Sequence, residues 1–325
     1  MSIDGEVLRG FAVLFGLSEQ SGYNPPMSSP NKEQSNIRRG LVLSGGAALG
    51  AYQAGALQVI AQYGVTFEVI AATSIGVLHA LAWNRGIVDE LDEHWRENVS
   101  KLNPFDAGRL LKGQNPFRFR GARDELFAAY REDQPQPDES DVLPILVSLT
   151  EGPTGANAMF NLSDPDLTRE ERELIAKAAT TIPPLGDQAV EIRGKRYYDG
   201  GFSNNVPVDF LADRDLDEIW VAATLSPRVG NPYRRAAWRA TRRVRKQAKH
   251  PWLLGATGLL EQYYDPSDLT EKVDATVLIR PDSIGFFRLQ RAMRALTFSR
   301  RNIEAMLQLG RADADRACRE YLAKH

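Results

Sequence analysis

The first apolar run of the chain is Leu41, Val42 and Leu43, short and unbroken between polar Arg39 and Ser44. Such a run predicts a buried strand of a parallel sheet. Ser44-Gly45-Gly46 ends it. From Ala47 onward Ala48, Ala51, Ala54, Leu57 and Val59 give the small, apolar face of a helix packed close to that sheet. The pattern then repeats. Phe67–Ala72 predicts a second strand, Thr73-Ser74 a sharp turn, and Ile75–Trp83 a second helix. Val88–Val99 predicts another helix, with Asp89, Glu90, Asp92 and Glu93 forming a solvated face. Leu143–Leu149 and Ala158–Leu162 predict strands around a Gly152-Pro-Thr-Gly155 turn.

Thr168–Thr180 carries Leu174, Ile175 and Ala178 at helical spacing, and Pro183-Pro184 closes it. Ala189–Ile192, Arg196–Asp199, Glu218–Thr224 and Ala275–Arg280 predict further strands. The last helix, 298–323, puts Ile303, Met306, Leu307, Gly310, Ala314, Ala317 and Tyr321 on one stripe. Strands alternating with helices predict an α/β sheet layered by helices. Residues 1–37 read as an N-terminal extension. Their proline-rich part is a tether, and Phe11, Leu14 and Phe15 ahead of it are expected to dock on the domain. Residues 38–325 form the domain itself, and 100–121 is read as an irregular excursion.

Composition changes this picture little. The 325 residues are 43% hydrophobic and 25% charged, as in an ordinary globular protein. A net charge of −2 gives no general attraction to nucleic acid, and none is expected as a partner. Cys318 is the single cysteine and the four histidines are scattered, so neither a disulfide nor a zinc site is predicted. No metal or other cofactor is expected. Asp4 and Glu6 precede the apolar stretch 10–17 where a signal peptide would be basic. A cytoplasmic location is expected.

Chemistry concentrates at three turns. Gly45-Gly46, between strand and helix, aims backbone N–H groups and a positive helix end at one point, which suits an anion. That anion is either a resident phosphate or a transient oxyanion. Neither Gly-x-Gly-x-x-Gly nor a P-loop Gly-Lys-Ser/Thr is present. Ala72-Thr-Ser74-Ile-Gly76 has the strand–turn–helix context of a nucleophile elbow, with Ala72 where the first glycine usually stands. A serine before a helix is equally an ordinary N-cap. A serine nucleophile needs a base. His79 lies on the following helix and should point away from the turn, while His94, His250 and His325 are no better placed. Asp199, in Asp199-Gly200-Gly201, is the better partner, though Asp-Gly alone is also a hairpin signal.

In this order, the Gly45-Gly46 turn, the Ser74 elbow and Asp199-Gly-Gly followed by Asn205 and Pro207 resemble the patatin-like phospholipases. The resemblance runs from about residue 38 to 210 and includes Ala176–Pro184. It implies a three-layer α/β/α sandwich with a mostly parallel sheet. It implies a serine lipid acyl hydrolase, of phospholipase A, lysophospholipase or esterase type, working on a lipid or acyl ester. Ser74 would be nucleophile and Asp199 base. Gly45, Gly46 and Ala47 would supply the oxyanion hole, and Gly50, Ala72, Gly76, Gly200, Gly201 and Asn205 would support the motifs. Two positions depart from the family pattern: Ala47 stands where a third glycine is common, and Leu49 where an Arg or Lys is common. They keep open a catalytically silent, lipid-binding relative, and the same acyl-enzyme would also serve an acyltransferase.

Residues 234–249 carry eight basic side chains and no acidic one, with Trp238 inside and Trp252, Leu253 and Leu254 just after. A basic helix flanked by tryptophans suits an anionic membrane surface, so 234–254 is expected to make a peripheral contact at the inner face of the membrane. Each Lys or Arg near such a surface contributes about 1 kcal/mol, screened by salt. Co-sedimentation with liposomes should rise with anionic lipid and fall with ionic strength. Equal binding to neutral vesicles would return this segment to a plain solvated helix.

Overall fold

The computed structural model describes residues 37–97, 99, 142–152, 154–182, 188–224, 275–281 and 298–324. The N-terminal extension, the 100–121 excursion and the basic segment 234–254 lie outside the described residues.

Among the described residues eight strands form one sheet: β1 (Arg39–Leu43), β2 (Val69–Thr73), β3 (Ile145–Gly152), β4 (Asn157–Asn161), β5 (Val190–Ile192), β6 (Lys195–Asp199), β7 (Glu218–Ala222) and β8 (Val277–Ile279). Their order is β5-β6-β3-β2-β1-β7-β8, with β4 paired to β3. The pairs β1–β2, β1–β7, β2–β3 and β7–β8 are parallel; β3–β4, β3–β6 and β5–β6 are antiparallel. The fold is thus mixed α/β with a mostly parallel central sheet, and the continuous apolar runs are the strands buried on both faces.

Among the described residues five helices follow the expected spacing: α1 (Gly50–Gln62), α2 (Ile75–Asn84), α3 (Leu91–Glu97), α4 (Arg169–Ala179) and α5 (Arg300–Leu322). Thr168 caps α4 in a reciprocal box with Glu171, and Ser299 caps α5 through the Asn302 N–H. All five contribute to one core against the sheet face of Leu41, Leu43, Ile70, Val147 and Trp220. The opposite face, with Val42, Ala71, Leu146 and Val221, is covered by Val206, Leu211 and neighbours of the 206–216 segment. A second helical layer on that face, as the three-layer expectation requires, is not among the described residues. The acidic face expected near residue 90 is also only partly solvated. Asp92 is half-buried and accepts from Arg96 of its own helix (2.8 Å) and from Arg311 (2.6 Å), the second of which ties α3 to α5.

One buried ion pair and two glycines fix the frame. Arg39 and Glu218 meet at 2.7 Å in the interior, and the Tyr321 hydroxyl donates to the same carboxylate at 2.6 Å. A buried pair of this kind is tolerable because its remaining polar atoms are also bonded: Trp220 Nε1–H donates to Glu218 at 3.1 Å. On the surface Arg38 bridges Glu68 and Asp215, a contribution that solvent makes small. Helices α1 and α5 pack backbone to backbone. A methyl at Gly310 would run into the Tyr52 carbonyl, and one at Gly55 into that of Leu307. Gly310→Ala should therefore lower the unfolding free energy by about 1–3 kcal/mol, whereas at Gly155 the space is open and an alanine is opposed only by the left-handed backbone, φ 73°. Urea melts that found Gly310→Ala as stable as the parent would contradict this close approach.

Candidate active site

The loops that leave the carboxyl ends of β1, β2 and β7 meet, which is where open α/β sheets place their sites. Ser74 follows β2 directly. Of residues 69–80 only Ser74 is not buried, so the chain surfaces there for a single side chain. Its φ of 55° and ψ of −126° lie in a region costly for a residue with a Cβ, of order 1–3 kcal/mol, and typical of strained functional turns. Close contacts make the turn possible. A Cβ on Gly76 would stand 2.5 Å from the Leu43 carbonyl, and one on Gly45 would stand 2.9 Å from the Ser74 Cβ. Ala72 is fully buried in β2, where one methyl is accommodated.

Asp199 reaches Ser74 through the pairing of β3. Leu149 of β3 pairs with Ala158 of β4 on one edge and with Asp199 of β6 on the other. Ser148, one residue earlier, pairs with Met159 and with Thr73. Strands β2 and β6 therefore share one edge of β3. The parallel strand ends at Thr73 and the antiparallel strand takes over at Asp199. The aspartate lands just past the end of β2, beside the serine. Ser74 Oγ–H donates to Asp199 Oδ2 at 2.6 Å, and the Gly201 N–H donates to Oδ1 at 2.7 Å.

The loop after Asp199 is held from below. Thr150 donates to the Asp199 carbonyl (2.9 Å), and Thr73 and Ser148 both donate to the Asn204 carbonyl (2.9 and 3.0 Å). Gly200 lies against the Ser148 backbone with no room for a side chain, and Gly201 sits beside the side chains of Asp199 and Asn205. Burial pushes the Asp199 carboxyl up to about 7, against the opposing pull of its bonds from Ser74 and Gly201.

The glycine turn is pinned on both sides. Thr224, just beyond β7, donates its hydroxyl to the Gly45 carbonyl at 2.6 Å and its N–H to Ser44 Oγ at 2.9 Å. The Gly45 N–H donates to the Asn205 carbonyl at 3.2 Å. The donor of Gly45, expected in the oxyanion hole, thus has an acceptor inside the protein. The N–H groups of Gly46 and Ala47 make no hydrogen bond among the described residues. Ala47 adopts φ 49°, the left-handed conformation that glycine holds without strain. Gly50 packs against Ile75 and Trp95, and Leu49 is fully buried.

Sequence reasoning assigned no role to Thr73, Ser148, Thr150 or Thr224. The signal was available in part, since all four are small hydroxyl residues at the carboxyl ends of predicted strands. His79, expected to point away from the turn, is fully buried and bonded to Gln53 and Trp95. No group of three or more His, Cys, Asp or Glu among the described residues is disposed to hold a metal ion. No helix among them is long and apolar enough to cross a membrane.

The family profile described as patatin-like phospholipase matches residues 41–212, just over half of the chain. The chain belongs to the patatin-like phospholipase family. At the level of this family the activity is that of a lipid acyl hydrolase. The patatin-like match takes in β1 to β6 and spans both Ser74 and Asp199. Among solved structures, VipD from Legionella pneumophila is similar at 12% identity and a TM-score of 0.35, over 83% of this chain and 67% of that one. Human GIVD cytosolic phospholipase A2, in complex with methyl gamma-linolenyl fluorophosphonate and terbium chloride, is similar at 12% identity and a TM-score of 0.32. That second likeness covers 89% of this chain and 61% of the human one. No curated protein matches the sequence significantly.

A raised carboxyl has a consequence for stability. The neutral form suits the buried site, so Asp199 favours folding fully below its ordinary value of 3.8, and this contribution is lost as pH rises through about 7. Asn at this position never ionises. The melting temperature of Asp199→Asn relative to the parent should therefore increase from pH 5 to pH 8. A difference that does not vary with pH would show that the carboxyl titrates as an exposed one.

Proposed function

We propose that the protein is a serine lipid acyl hydrolase that cleaves carboxylic esters through an acyl-Ser74 intermediate, with Asp199 as its base. The observation that carries this reading is the 2.6 Å hydrogen bond from a strained, solvent-reaching serine to a buried carboxyl. Ser74 Oγ attacks the ester carbonyl carbon as its proton passes to Asp199 Oδ2. The carbonyl oxygen becomes an oxyanion, for which the N–H groups of Gly46 and Ala47 are the available donors. Collapse breaks the bond to the alcohol, and Asp199 returns the proton to the departing oxygen. Water then attacks the acyl-enzyme and gives a proton to Asp199. The second collapse releases the fatty acid and restores the serine hydroxyl.

The raised Asp199 carboxyl supports this role. A carboxylate with an ordinary value near 3.9 is a weak base at neutral pH, whereas one held near 7 is matched to its task. The departures at Ala47 and Leu49 favour an altered rate or substrate range over loss of chemistry, because the proposed donors are backbone groups. A peripheral membrane contact through 234–254 would bring such an enzyme to its substrate.

Ser74→Ala should abolish hydrolysis of a p-nitrophenyl ester and labelling by a fluorophosphonate. Asp199→Asn should lower kcat/KM by about 10²–10⁴, and the double variant should be scarcely worse than Ser74→Ala, since the two act as a unit. In the parent, kcat/KM should rise with pH through about 7, because only the ionised carboxyl accepts the proton. Full activity in folded Ser74→Ala would remove the nucleophile from this scheme. A silent, lipid-binding relative would instead bind vesicles without labelling.

A further inference from the structure

One buried chain of hydrogen bonds has no part in the scheme above, yet it ends on the glycine turn. Trp95 Nε1–H donates to His79 Nε2 at 3.2 Å, and His79 Nδ1 lies 2.7 Å from Gln53 Oε1. Gln53 Nε2 contacts the carbonyls of Ala222 (2.7 Å) and Ser44 (3.2 Å). All three side chains are buried.

The direction of each bond follows from the ends. An indole N–H only donates, so His79 Nε2 must accept, and the ring proton must sit on Nδ1. Nδ1–H then donates to the Gln53 oxygen, and the Gln53 amide presents its NH₂ to two carbonyls that only accept. Both ends of the chain demand the same orientation. Burial holds the His79 imidazole neutral, with its ionisation pushed down to about 3, so the arrangement does not change over the working pH range. Ala222 is the last residue of β7 and pairs with Leu43 at the end of β1. The Gln53 amide thus clamps the end of β1, from which Gly45-Gly46 springs, to the end of β7, beyond which Thr224 grips the Gly45 carbonyl.

We propose that Trp95, His79 and Gln53 form a tautomer-locked relay whose function is to position the Gly46 and Ala47 N–H groups for the transition state. This rests on the hydrolase reading. The three are positioning residues, remote from the substrate. A turn displaced by a fraction of an ångström still admits substrate but meets the oxyanion poorly, so the relay acts on kcat.

The test uses Gln53→Met, close in shape but without the amide. It should lower kcat by about 10–100-fold, the scale of a small misplacement, with KM unchanged. The affinity for a trifluoromethyl ketone should fall in step with kcat/KM, and the rise in activity through about pH 7 should not move, because Asp199 is untouched. Parental kcat in folded Gln53→Met, or a loss carried by KM alone, overturns the proposal while leaving the hydrolase reading intact. An inactive parent that no fluorophosphonate labels overturns the hydrolase reading and this proposal with it. Should Gln53→Met not fold, Trp95→Phe removes the anchor at its far end. Nitrogen NMR of the His79 ring should then still show the Nδ1–H tautomer that Gln53 demands, while kcat falls because the ring has lost its Trp95 anchor. A ring already mixed in the parent, or an unchanged kcat in Trp95→Phe, counts against the relay.

Discussion

A parallel sheet delivers every strand end to the same side, but it separates the residues at those ends by a strand spacing and points each connection away into a helix. Bringing a carboxyl into hydrogen-bond contact with the serine at the tip of β2 needs a strand that arrives from the opposite direction. The two-partner edge of β3 provides it. Eight residues long, β3 outlasts β2, and its free edge beyond Ser148 is filled by β6 running antiparallel. The register is what matters. Because side chains alternate faces along a strand, a slip of one residue would turn Asp199 away from the serine. Much of the polar structure beneath the site defends that register. The Asp199 N–H donates to the Thr181 carbonyl at 3.0 Å, its carbonyl accepts from Thr150, and Asn204 is held by Thr73 and Ser148.

The same placement sets the electrostatics. In a serine–histidine site the imidazole is near neutrality by its own nature. A carboxyl must be moved there by its surroundings, and burial is the means available within β6. The two hydrogen bonds that Asp199 accepts limit how far it moves. The groups that aim the carboxylate are thus also the ones that moderate its basicity. On the proposed reading, function and stability are opposed here: the ionised state that a base requires is the one the fold least favours at this position.

Most of the secondary structure was legible, because buried strands and amphipathic helices write their periods directly into the chain. Leu41–Leu43, the Ile75 helix and the Ile303–Tyr321 stripe are local patterns, and local patterns survive without knowledge of the fold. What could not be read was non-local. Nothing between residues 145 and 199 says that β2 and β6 share an edge, since a register is a property of two segments and a sequence displays them one at a time. The acceptor that Gly45 finds was hidden for the same reason: it is the backbone of Asn205. His79 was displaced from the base role by its helix position, but its bonds to Gln53 and Trp95 depend on the packing of α1, α2 and α3 together. Asp92 was assigned to solvent because its own helix is acidic, whereas Arg311 reaches it from the far end of the chain.

The two departures from the family pattern gain a physical meaning once the turn is seen in place. Ala47 keeps the left-handed backbone that a glycine would adopt freely, and it bears the strain of a Cβ there, of order 1 kcal/mol. The conformation is retained against local preference, so something outside the residue enforces it. Thr224 and Asn205 grip Gly45 on one side, and the buried Leu49 anchors the start of α1 on the other. Leu49 also explains how a cation can be missing from the end of the turn. Its side chain is core, and a Lys or Arg in that orientation would be desolvated at a cost of several kcal/mol. At Leu49, where the resemblance led to an expected charge, this chain has packing instead, and on the proposed reading the alignment of two backbone N–H groups depends on how rigidly that packing and the Gln53 clamp hold.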